Sequence, residues 1–168
     1  MKNATGSRRL RRRLITALMA ALAFMTFAAT SAQATESYGG GSNYYDFKNP
    51  TTTKDSAGTP CNVNASQIAT RPILDRNTGQ QVASIQIFYS WSCGANWIRV
   101  TNNPYGGNTT KNIFSSLGGW NSEVDPGYGS SYSMMVYAPG TTQIHGDVTL
   151  WEPGINEWNW KAEGSFSL

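Results

Sequence analysis

Residues 81–101 read QVASIQIFYSWSCGANWIRVT. Ala83, Ile85, Ile87, Tyr89 and Trp91 alternate with Ser84, Gln86, Ser90 and Ser92, and only Phe88 interrupts the polar side. Side chains of an extended chain alternate faces with period two, so the pattern predicts a half-buried antiparallel strand. Its isoleucines and aromatics suit a pleated surface. Cys93-Gly94-Ala95 breaks the alternation, and glycine supplies the positive φ that a tight turn needs. From Asn96 the alternation resumes, with Trp97, Arg99 and Thr101 on one face and Ile98 and Val100 on the other. The stretch predicts a β-hairpin with a cysteine at its turn.

Tyr89-Ser90, Cys93, Trp97 and Arg99 spell Y-S-x-x-C-x-x-x-W-x-R behind this strand, with Cys61 and Ala65 upstream. The pattern resembles a family of small secreted actinobacterial domains catalogued as a domain of unknown function. In that family an early cysteine and the strand cysteine recur with the same aromatic and arginine. The resemblance spans residues 60–101 and rests on five positions at fixed spacing. It implies a placement rather than a mechanism, because the family carries no agreed activity. Some members resemble ectodomains tethered by a membrane helix to a cytoplasmic DNA-binding domain, a partner domain not expected here.

Residues 1–34 read as a secretory signal. Lys2, Arg8, Arg9, Arg11, Arg12 and Arg13 precede an apolar run from Leu14 to Ala29, and Ala32-Gln33-Ala34 supplies an A-x-A cleavage site. The run is 16 residues long, short of the roughly 20 that span a bilayer, which sets an uncleaved anchor second. Ser7-Arg8-Arg9-Leu10 matches a twin-arginine signal only loosely, so the general secretory route is the default. The chain carries 13 Lys+Arg and 10 Asp+Glu, net +3. Six of the basic residues and none of the acidic ones lie in 1–34, which leaves 7 basic against 10 acidic, net −3. No basic patch then points to nucleic acid, and no lysine cluster points to a membrane surface once the signal is cleaved.

The remaining 134 residues fit one domain. They hold Cys61 and Cys93 and no other cysteine. Outside the cytoplasm two cysteines most simply form one disulfide. The rival readings are a metal pair or a reactive thiol; with His145 as the sole histidine the zinc set is poor.

Residues 35–59, rich in Gly, Ser, Thr, Asn and Tyr, read as a flexible N-terminal segment. Residues 60–168 read as a single β domain. Ile68 to Leu74 is a candidate strand placed at an edge by Pro72. Lys111 to Leu117 is a short strand, Gly118 to Ser131 a long irregular loop, and Tyr132 to Ala138 a further strand. Thr142, Ile144, Gly146, Val148 and Leu150 alternate against Gln143, His145, Asp147, Thr149 and Trp151, and Asn156 to Phe166 makes a last strand. No amphipathic helical run follows the signal. The expectation is an all-β fold: a small antiparallel β-sandwich or barrel of five to eight strands with one disulfide.

No catalytic set stands out, and neither a cofactor nor a metal site is expected. His145 and Asp147 share a strand face about 7 Å apart, too far for a direct hydrogen bond without bending. The carboxylates Glu123, Asp125, Asp147, Glu152 and Glu157 lack a motif that frames a hydrolytic pair, and read as solvated surface charge. Aromatics are the richest signal. Trp120 and Tyr128 in the long loop, and Trp158 and Trp160 two apart, are candidate binding residues. Trp91 and Trp97 read as core beside the disulfide. Arg99 reads as packed over an aromatic or paired with a carboxylate. These observations point to a secreted, extracellular, non-catalytic β domain that binds a cell-wall glycan or an extracellular protein. The alternative is a secreted hydrolase using carboxylates or His145 and Asp147. N-terminal sequencing of the exported protein is expected to start at Thr35. A start displaced by more than a few residues, or retention in the membrane fraction, overturns the signal reading.

Overall fold

A computed structural model describes residues 36–154 and 160–168. Residues 1–35, which include the expected signal, and residues 155–159, with Glu157 and Trp158, lie outside the described residues. Within those residues the chain is all β, without a helix. Its ten strands are β1 (Glu36–Gly40), β2 (Ala65–Asp75), β3 (Gln81–Ser90), β4 (Ala95–Asn103) and β5 (Thr109–Ser115), followed by β6 (Trp120–Asp125), β7 (Gly129–Tyr132), β8 (Val136–Tyr137), β9 (Ile144–Leu150) and β10 (Ala162–Ser167). All pair antiparallel in one sheet, in the order β1-β6-β5-β9-β10-β2-β3-β4-β7, with β8 also beside β4. The sheet curls into a half-barrel.

The 81–101 stretch forms the expected hairpin. Ser90 pairs with Ala95, and Gly94 takes φ +59° in the turn between them. Ala83, Ile85, Ile87, Ile98 and Val100 are buried on the concave side with Ile113, Val148, Leu150 and Phe166. Each fully buried branched side chain of this kind contributes roughly 1.5–3 kcal/mol. Strand β9 alternates as read, with Ile144, Gly146, Val148 and Leu150 buried and His145 and Asp147 exposed.

A second, smaller core lies on the convex side of the hairpin. Phe88 and Trp97 are register partners and stack with ring centroids 5.7 Å apart. Cys61, Cys93, Ala95 and Met135 join them, and Tyr45, Ala65 and Tyr132 pack against the group. The disulfide joins Cys61 to Cys93, with Cα atoms 5.8 Å apart. Phe88, the one break in the polar side of the strand, is therefore apolar because the convex face is covered there.

The cover comes from the segment expected to be flexible, and this is the main correction to the sequence reading. Residues 36–59 belong to the fold. Strand β1 pairs with β6 along its whole length. Phe47 N donates to Met135 O (2.9 Å) and Met135 N to Lys48 O (2.9 Å), so residues 47–48 run beside the chain leading into β8. The buried Asp46 carboxylate accepts from Tyr137 N at 2.7 Å and from Asn43 N at 3.0 Å. A Cβ on Gly41 or Gly119 would strike that carboxylate, so both positions need the missing side chain.

Other departures have equally local causes. Pro72 lies on an interior strand, because β10 pairs with β2 only at Asp75 and Leu74 and its ladder ends before the proline. The region 118–131 contains β6 and β7 rather than one loop, and β8 is two residues long. Together with β1 this raises the strand number above eight. Strand β10 starts at Ala162, after Trp160. Trp97 is core, but Trp91 is 68% exposed and stands edge-to-face with Tyr89, ring centroids 4.8 Å apart. It follows the last residue of β3, where the alternation no longer assigns a face.

Replacing both Cys61 and Cys93 by Ala should cost about 2–5 kcal/mol. Denaturant unfolding, with and without reductant, measures it; an unchanged midpoint overturns the clamp. A polar tie gives a second expectation. Tyr105 Oη donates to Asp75 Oδ2 at 2.7 Å. With the Thr78 amide, that bond holds the Asp75 carboxyl down at about 2. Burial first, then Asp75, pushes the Tyr105 phenol up to about 12. Asp75 is depressed, so its contribution is present above its ordinary 3.8 and lost as pH falls toward about 2. Tyr105 is raised, so its contribution is present below 10.0 and lost as pH rises through about 12. Ultraviolet titration should show one late-ionising tyrosine that disappears in Tyr105→Phe, with a weaker stability loss in acid. A titration unchanged by the substitution refutes the tie.

Candidate functional site

Three connections meet at one end of the half-barrel: β4–β5, β6–β7 and β9–β10. Between them opens a cleft of about 650 Å³, within the roughly 300–1,000 Å³ typical of ligand pockets. Gly106-Gly107-Asn108, Pro126-Gly127 and Trp151-Glu152-Pro153-Gly154 form its walls, with Glu36, Thr110 and Val124 from the adjoining strands.

The walls are positioned by buried hydrogen bonds. Asn103, the last residue of β4, donates from Nδ2 to Thr109 Oγ1 (2.8 Å) and Gly127 O (3.3 Å). Its Oδ1 accepts from Tyr105 N at 3.0 Å. One side chain thus ties two of the three connections together. Gly127 N donates to Gly107 O (3.2 Å), and Trp151 N to Asn108 O (2.9 Å). The Trp151 indole donates to Thr110 Oγ1 at 3.2 Å, which fixes the plane of its ring. Tyr128 lies against Gly106, where a Cβ would collide with its ring, and is 73% exposed.

The aromatic surface continues past the cleft. Trp160 meets Trp151 edge-on, with centroids 6.1 Å apart. The Arg76 guanidinium sits 4.3 Å over Trp160, and the Trp160 indole donates to Glu163 Oε2 at 2.8 Å. Lys161 pairs with Glu152 at 2.9 Å. The site offers indole and phenol faces beside an amide, a hydroxyl and two carboxylates, a set suited to apolar rings that bear hydroxyl groups.

The structure places two of the expected binding residues here, Tyr128 beside the cleft and Trp160 beside Trp151. Trp120 is 40% exposed but begins β6, at the end away from the cleft. Trp158 lies outside the described residues. Trp151 was missed, because its place in the β9 alternation marks it only as an outward residue. Arg76, rather than Arg99, lies over an aromatic ring; Arg99 is exposed. His145 stacks on Phe114 at 5.0 Å, and Asp147 accepts from Asn112 Nδ2 at 2.8 Å, so on the outer face each faces a β5 side chain. Among the described residues no group of three His, Cys, Asp or Glu side chains is arranged to hold a metal ion.

Two carboxylates expected at the surface are buried. Lys111 on β5 is 0% exposed, and Glu123 and Asp125 on β6 are 1% and 3% exposed. Lys111 Nζ contacts the Asp125 carboxylate, lies 3.8 Å from Glu123 Oε2 and donates to Ser131 Oγ at 3.1 Å. Glu123 Oε1 accepts from Ser37 Oγ (3.1 Å), Met134 N (3.0 Å) and Asn121 Nδ2 (3.4 Å). Burial, opposed by the Glu123 charge, pulls the Lys111 ammonium down to about 8. The signal for this interior was its spacing: Lys111 shares parity with Ile113, and Asn121, Glu123 and Asp125 share parity with one another. Comparison with protein-family models, with curated proteins and with solved structures finds no match to this chain.

Proposed function

We propose that the chain is a secreted, non-catalytic β domain that binds a cell-wall or surface glycan at the three-loop cleft. The observation that carries the reading is Trp151, its indole held by Thr110 and its backbone N–H by Asn108 O, at the wall of an open, polar-lined cavity. Sugar rings stack their C–H faces on indole and phenol while their hydroxyls bond to amides and carboxylates, and the cleft offers both kinds of group. The resemblance of residues 60–101 to a secreted family, the A-x-A site Ala32-Gln33-Ala34 and the disulfide agree with an extracellular setting.

A hydrolase is the second reading, because Glu36 and Glu152 both line the cleft. A glycosidase needs one carboxyl as acid and another as base or nucleophile. Lys161 already occupies one oxygen of Glu152, which favours the binding reading over the hydrolytic one.

The test is retention of the exported protein on insoluble wall preparations and a polysaccharide panel, with soluble sugar release measured in parallel. Binding without release is expected. An aromatic contact contributes about 0.5–1.5 kcal/mol, so Tyr128→Ala and Trp160→Ala should each weaken retention about 2- to 10-fold. Trp120→Ala, at the far end of β6, should leave it unchanged. Retention indifferent to Tyr128 and Trp160 sinks the cleft, and sugar release abolished by Glu152→Gln establishes the hydrolase instead.

A further inference from the structure

The buried cluster on β5 and β6 has the components of a covalent cross-link. Lys111 and Glu123 are direct register partners, and Asp125 lies two residues further along β6 on the same concave face. The amine touches the Asp125 carboxylate, and Glu123 Oε2 flanks it at 3.8 Å. The geometry points to an autocatalytic amide bond between Lys111 Nζ and Asp125 Cγ, an internal isopeptide cross-link formed as the domain folds.

Burial supplies the chemistry. A charged pair in a low-dielectric interior gains by passing its proton from ammonium to carboxylate, which leaves a neutral amine and a neutral carboxyl. The direction in which Lys111 is shifted agrees. A neutral amine is a nucleophile, and a protonated carboxyl is an electrophile with hydroxide-level departure made easier by a proton donor. Reacting groups held in contact gain several kcal/mol over the same reaction between free partners.

The step balances without an outside reagent. The Nζ lone pair attacks Cγ of the protonated Asp125 and forms a tetrahedral centre. The Glu123 carboxylate takes a proton from the nitrogen and delivers it to the departing hydroxyl. A C–N bond forms, one C–O bond breaks and one water leaves; nothing is oxidised or reduced. Ser131 Oγ accepts a Lys111 N–H at 3.1 Å and so constrains the direction of the lone pair. Glu123 is itself held by Ser37, Met134 and Asn121 through Oε1, which leaves Oε2 toward the amine.

Mass spectrometry of the exported wild-type protein, reduced and denatured, tests the bond. Reduction restores the two hydrogens of the disulfide, so a remaining deficit of one water is expected. Trypsin reports the position, since the only lysine or arginine between Arg99 and Lys161 is Lys111. A linked chain should yield residues 100–161 as one fragment, uncut after Lys111 and lighter by one water. Chymotryptic cutting at Phe114 or Trp120 should then leave two peptides joined through Lys111 and Asp125. Glu123→Gln should restore both the missing water and the cleavage after Lys111. A wild-type chain of full mass that trypsin cuts after Lys111 overturns the proposal, as does a water deficit mapped to any other pair. The wild-type result decides the matter even if the variant fails to fold, and it is independent of whether the cleft binds a glycan.

Discussion

One lysine amine and two acidic side chains held away from water set the terms for one side of this fold. The concave face of β6 consists of Asn121, Glu123 and Asp125, all buried. No apolar side chain is there to drive the strand inward, so its position rests on what satisfies those groups. Lys111 answers Asp125 and Glu123, while Ser37 and Met134 complete Glu123. Losing one member of such a group costs roughly 3–5 kcal/mol, because its partner stays buried and uncompensated. The cluster also stands where backbone pairing stops. Strands β6 and β7 are nearly opposite ends of the sheet order, and no ladder joins them. The Lys111–Ser131 and Glu123–Met134 bonds cross that gap with side chains.

This division of labour explains what was legible in the sequence. The hairpin and β9 follow from alternation because each has one apolar face against the main core. The disulfide follows from the count of two cysteines and the compartment expected of the chain. Strand β6 was illegible because its polarity is inverted: Asn121, Glu123 and Asp125 are the buried face, while Trp120 and Val124 are on the more exposed one. A buried polar face looks like a solvated one until its partner is found, and that partner, Lys111, also reads as a surface residue. Parity with Ile113 was the available clue, and it needed the assumption that β5 is straight and half-buried.

The N-terminal segment was misjudged for a related reason. Its Gly, Ser, Thr and Asn content is shared by disordered tails and by chains built from consecutive turns. Here the polar side chains close turns: Asn43 and Asn49 each accept from the amide two residues on, and Asp55 accepts from Ala57 and Thr59. Such bonds are local and weak against chain entropy. What fixes the segment is tertiary: β1 on β6, Asp46 on Tyr137, and Cys61 on Cys93. Of those three, only the disulfide can be read from composition; the partners of β1 and of Asp46 cannot. At the cleft the same limit applies. Tyr128 and Trp160 were visible as aromatics, but Trp151 becomes a site residue only when Thr110 and Asn108 are brought beside it.

The covalent clamp and the cleft stand at opposite ends of the same strand. Strand β4 starts near Cys93, at Ala95, and ends at Asn103, nine residues in all, a span of roughly 27 Å at the rise of an extended chain. Strands β6 and β9 likewise run toward the cleft, ending at Asp125 and Leu150. The disulfide therefore restrains the end where β3 and β4 turn, and leaves the connections at the other end to hydrogen bonds. Those bonds converge on Asn103, a buried amide whose partners belong to two different connections. A rigid sheet with loops fixed at their roots suits a binding surface, because the ligand then meets rings already held in place and costs little ordering entropy. The Lys111–Asp125 contact sits near those roots: Asp125 pairs with Thr109 at the start of β5, and Lys111 lies two residues further along that strand.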